Sequence, residues 1–100
     1  MSQLALVDVS KKPICYASVF EGNLRLENYW SGRADELSLE IIYTIPAKSF
    51  GALNSFLGYP VDTPIQTLLK NINDDGKGAD IWNACHNNLI PNVERFTWYS

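Results

Sequence analysis

The spacing of the apolar residues changes once along this chain, at Pro46, and that change constrains the fold more than any other feature. Before it, Leu37 to Ile45 (LSLEIIYTI) alternates, with Leu37, Leu39, Ile41, Tyr43 and Ile45 on one face and Ser38, Glu40 and Thr44 on the other. A repeat of two belongs to a strand that buries one face. After it, Phe50, Leu53 and Leu57 recur at helical spacing up to Gly58, a natural C-terminal stop. Strands therefore precede Pro46 and helices follow it.

Three more strands are expected upstream. Leu4–Val9 closes at the polar Ser10-Lys11-Lys12-Pro13. Ile14–Phe20 is rich in β-branched and aromatic residues, and Leu24–Trp30 follows the turn Glu21-Gly22-Asn23. Gly22 and Asn23 are turn residues that both tolerate positive φ. Leu24, Leu26 and Trp30 should face the core, leaving Arg25 and Glu27 on a solvated face, before a loop over Ser31–Asp35.

Downstream, Thr63-Pro64-Ile65-Gln66 reads as a helix start, with Thr63 as cap and Pro64 at the first helical position. Ile65, Leu68, Leu69 and Ile72 then form an apolar stripe. Asn73–Gly78 breaks that helix. Asp80 should cap a third one, whose buried edge is either Ile81, Ala84 and Cys85 or Trp82, Cys85 and Leu89. Pro91 and Asn92 turn the chain into a last strand, Val93–Tyr99, with Phe96 and Trp98 on one face. The order β-β-β-β-α-α-α-β implies a single α+β domain over residues 1–100. Its antiparallel sheet has about five strands with the helices on one face, and the last strand pairs with one of the first four to close the chain on itself.

Composition narrows the function. A chain of 100 residues that is 46% hydrophobic suits one folded domain. No apolar run approaches the roughly 20 residues needed to cross a bilayer, and the start lacks a signal-peptide pattern, so a cytoplasmic protein is expected. Eleven acidic against eight basic residues give a net charge of −3, which disfavours nucleic acid as the partner.

The chemistry-bearing residues do not assemble into a catalytic or metal motif. Cys85 and His86 are neighbours on a helix and point about 100° apart, with Cys85 on the apolar stripe. Cys15 reads as a buried strand residue; it is the other thiol that could meet His86. The loop from Asn71 to Gly76 opens like a calcium loop, but its twelfth position is Trp82 where a bidentate Glu is needed. Gly76-Lys77-Gly78 lacks phosphate-loop spacing and sits among aspartates that would repel phosphate. One histidine and two separated cysteines make no zinc set, and Glu36 and Glu40 have no cleft for acid–base work. No catalytic, cofactor or metal residue is assigned. What remains is surface: Asp74, Asp75 and Asp80 form a compact negative cluster, Asp62 falls near the same end, and Tyr59 and Trp30 are aromatic residues at loops. Such a surface suits capture of a basic protein, because charge steers the encounter and aromatics anchor it.

Strands that run into a helix (IIYTIPAKSFGALNSFLG), a capped helix (DTPIQTLLKNI) and the tail NLIPNVERFTWYS, ending Phe96-Thr97-Trp98, give a pattern that resembles bacterial immunity proteins. The likeness is to those encoded beside polymorphic toxins, especially in contact-dependent growth inhibition. It implies a non-enzymatic antitoxin, without cofactor, that binds the C-terminal toxin domain of a delivered effector, often a nuclease. It assigns no functional residue. An alternative reading is a small ligand-binding or regulatory domain that acts as a homodimer through a sheet edge. An enzyme built on Cys85, His86 and a nearby carboxylate ranks third.

Overall fold

The computed structural model describes residues 3–30 and 39–99. The expected loop Ser31–Asp35, Glu36 and the strand positions Leu37 and Ser38 lie outside the described residues. The elements are β1 (Leu4–Val7), β2 (Pro13–Phe20), β3 (Asn23–Trp30), β4 (Leu39–Ile45), α1 (Phe50–Leu57), α2 (Ile65–Asp74), α3 (Gly78–His86) and β5 (Glu94–Tyr99). A short 3-10 turn over Ala47–Ser49 leads into α1. The α+β order expected from the sequence is the observed one.

All five strands lie in sequence order, each antiparallel to the next. The last strand pairs with β4, Thr44 opposite Glu94 and Leu39 opposite Tyr99, so the three helices form an excursion inside a hairpin. This is the expected pairing of the last strand with one of the first four, and among the described residues β1 and β5 are the edges of the sheet. The core lies between the sheet and the helices. Leu6, Cys15, Ala17, Leu24, Leu26, Tyr43 and Ile45 point inward and meet the α2 stripe of Leu68, Leu69 and Ile72. In α3 the buried edge is Ile81, Ala84 and Cys85, while Leu89 is exposed.

Four local expectations are corrected. The β2–β3 loop has two residues, because Phe20 pairs with Asn23, and its positive φ values are those of Glu21 (53°) and Gly22 (80°). Thr63 does not cap α2: its hydroxyl donates to the Pro60 carbonyl at 2.7 Å, and Pro64 takes the cap position. Asp80 does not cap α3 either. Lys77 pairs with Asp8 in a β-bridge, so the helix begins at Gly78 and Asp80 lies in its first turn. There its charge still meets the positive end of the helix dipole. Finally, Glu27 is not solvated. It is 5% exposed on the helix-free face, in a 2.8 Å ion pair with Arg25.

The segment after α2 fastens the helices to β1. The Val7 N–H donates to Asn73 Oδ1 at 3.0 Å and Asn73 Nδ2 donates to the Ala5 carbonyl at 2.9 Å, so the amide acts as one residue of a neighbouring strand. Gly78 allows the approach: a Cβ there would lie 2.6 Å from the Val7 carbonyl oxygen. Gly76 sits similarly against Val9, at φ 67°. The Gly76-Lys77-Gly78 motif is thus a packing device.

Two substitutions test these points by thermal unfolding. Gly78→Ala forces backbone apart and should cost about 2 kcal/mol, lowering Tm by roughly 10 °C. Glu21→Asn places a residue tolerant of positive φ in a two-residue hairpin loop and should raise Tm by about 5 °C, a gain near 1 kcal/mol.

Candidate functional site

The α2–α3 connection gathers most of the expected contact residues at one end of the helical layer. Tyr59 follows Gly58, which ends α1 in the left-handed region. Its hydroxyl donates to Asp75 Oδ2 at 2.5 Å and lies 3.2 Å from the Asn71 carbonyl. Lys77 Nζ sits 4.6 Å from the Tyr59 ring centroid and donates to the Leu57 carbonyl at 2.7 Å, at the negative end of α1. Burial pushes the Tyr59 phenol up, as do the hydrogen bond to Asp75 and the charges of Asp75, Asp74 and Asp80. All three carboxylates therefore act on one ring while remaining exposed themselves.

Beside this cluster, a groove of about 370 Å³ between α1 and α3 is lined by Phe56, Leu57, Lys77, Asp80, Asn83 and Leu89, with Ala84 at its floor. Phe56 and Leu89 are exposed apolar residues there. Neither was expected from the sequence, although Phe56 falls off the Phe50–Leu53–Leu57 stripe and so had to point elsewhere. Lys77 was also missed as a partner of Tyr59.

Two expected residues do not join the cluster. Asp62 is exposed in the turn between α1 and α2, and among the described residues no hydrogen bond or ion pair ties it to Tyr59 or the other aspartates. The backbone of Trp30 ends β3 opposite Leu39, at the strand end that runs into residues 31–38, and its side chain lies outside what the structure describes.

The thiols are unsuited to nucleophilic work. Cys15 and Cys85 are both buried and free, and burial pushes each up to about 12, the direction opposite to activation. His86 Nδ1 lies 2.6 Å from the Tyr43 hydroxyl, and Trp82 packs edge-on to the Tyr43 ring. The histidine thus takes part in a packed aromatic group. Among the described residues no group of three or more His, Cys, Asp or Glu could hold a metal ion, and no helix is long and apolar enough to cross a membrane.

The helix-free face of the sheet is less polar than its alternation suggests. Ile42 is 5% exposed there, and Phe20 and Phe96 flank it at 50% and 49%. With Arg25 and Thr44 they line a depression of about 320 Å³.

Compared with known proteins, the chain matches no family model, no curated protein and no solved structure.

The Tyr59 environment predicts an alkaline signature. A phenol whose folded pKa lies above the ordinary 10.0 stabilises the fold below about pH 10 and loses that contribution as the pH rises through the folded value. Tyr59→Phe should therefore flatten the decline of Tm above pH 10, measured by thermal unfolding across an alkaline pH series. An unchanged slope would show that Tyr59 is not the group responsible.

Proposed function

We propose that this chain is an immunity protein: a non-catalytic antitoxin that binds the C-terminal toxin domain of a cognate effector and prevents it from acting. The observation that carries the reading is the joint placement of exposed Asp74, Asp75 and Asp80 beside a groove with exposed Phe56 and Leu89. Charge at the margin speeds and orients the encounter, and apolar side chains in a groove slow release.

A basic partner fits this surface. A nuclease toxin carries positive potential to hold phosphates, and an acidic protein competes for that surface. Lys77 offsets only one of the three carboxylate charges, so the surface stays acidic while the ammonium is held by the Leu57 carbonyl and the Tyr59 ring.

The test is co-expression with the C-terminal fragment of the neighbouring effector, followed by binding kinetics. The wild-type chain should suppress the fragment's toxicity as a tight 1:1 complex. Changing Asp74, Asp75 and Asp80 together to Lys should slow association by about tenfold or more at low salt, an effect that shrinks as salt rises. Changing Phe56 and Leu89 to Ala should act on dissociation instead. Association that ignores the charge reversal at every salt concentration would reject the acidic surface.

A further inference from the structure

The two edges of the sheet are treated differently. On β1, the outward-facing Val7 N–H and Ala5 carbonyl are taken up by the side-chain amide of Asn73, and Asp8 bridges to Lys77 just beyond. That edge is sealed by the chain's own α2–α3 connection. On β5, alternate N–H and C=O groups must point away from β4, and no described element pairs with them. Among the described residues one edge is open and one is sealed, and that asymmetry restricts what can be built. Joining β5 of one copy to β1 of the next is blocked, so no open-ended array forms. Joining β5 to β5 uses the open edge of both copies and leaves only sealed edges outside, which closes the assembly at two.

We propose that a second copy of this chain pairs with β5, strand to strand and antiparallel, about a two-fold axis at Phe96. Charge excludes the registers centred on Glu94 and Arg95, which oppose like charges, and the half-exposed Phe96 favours the axis at its own position. Centring the pair on Arg95 would set two guanidinium groups face to face, a destabilising arrangement. Centring it on Phe96 sets Phe96 against its own copy, Arg95 against Thr97 and Glu94 against Trp98, with no like charges opposed. Phe96 is half exposed at this edge and rims the depression shared with Phe20 and Ile42, so the seam joins the two apolar faces on the same side of the enlarged sheet. A strand of six residues buries less than a standard interface, so dissociation on the order of micromolar is expected. The inference does not rest on toxin binding, and it places the contact away from the acidic cluster.

Sedimentation velocity of the full chain, from about 1 to about 500 µM and without any toxin, tests it. The expected result is a monomer–dimer equilibrium with nothing larger. Phe96→Lys puts two ammonium groups at the axis and should weaken dimerisation at least tenfold at unchanged Tm. Hydrogen exchange on the wild-type chain gives a readout that needs no variant: alternate β5 amides should gain protection as concentration rises, while the Val7 amide does not change. A chain that stays monomeric throughout overturns the proposal, as does a dimer indifferent to Phe96→Lys. Protection of β5 that appears only when an effector fragment is added would assign the edge to that partner and reject the second copy.

Discussion

The contact between the α2–α3 connection and β1 is the constraint on which the rest of the molecule depends. β1 is short and, among the described residues, has one strand neighbour, so half of its backbone groups would otherwise need water or another protein. The Asn73 amide supplies what a second neighbour would, and Gly76 and Gly78 let the connection come close enough to do so. The same connection fixes where α2 stops and α3 starts. Through Lys77 and Asp75 it also reaches Tyr59 and the end of α1. Edge protection, helix register and the acidic surface are thus set by one short run of residues.

The reading of the sequence succeeded where a pattern extended over several residues. The alternation in β4 and the α2 stripe each involve many side chains whose burial adds in one direction, so element type and inward face could be read directly. It failed where a single residue had competing partners. Thr63 carries the composition of a helix cap, yet its hydroxyl is held by Pro60 in the preceding turn. Asp80 looks like a cap because nothing local shows that Lys77 will be paired with Asp8, far away in sequence. Glu27 looks solvated because a charge in an alternating strand usually is; the ion pair with Arg25 and the apolar neighbours on that face appear only once the strands are in register.

The candidate site shows the same division. Three aspartates within seven residues were visible as a cluster, and Tyr59 as an aromatic residue at a loop. Their convergence depends on where α1 ends relative to α2, a tertiary fact with no local signal. Asp62 illustrates the converse, since nearness in sequence to Tyr59 did not tie it to the cluster. The two surfaces of interest also differ in kind. The helical end offers charge and a groove, which select a partner by its chemistry, whereas the β5 edge offers backbone groups, which select only by shape and register.

The placement of the helices between two paired strands has a further consequence. In an ordinary hairpin the turn is a few residues whose ends meet cheaply. Here the turn runs from Pro46 to Val93 and contains an entire layer of the protein. Chain statistics make this only about 3 kcal/mol more costly to close than a two-residue loop, because the entropy penalty grows with the logarithm of length. The closure is also shared. The Ser49 hydroxyl donates to the Pro91 carbonyl across the mouth of the excursion, and Ile90 is buried just before β5 begins. Docking the helices therefore brings β5 to its partner, and pairing β5 holds the helices closed. The two events are a single cooperative unit, and whatever loosens one loosens the other.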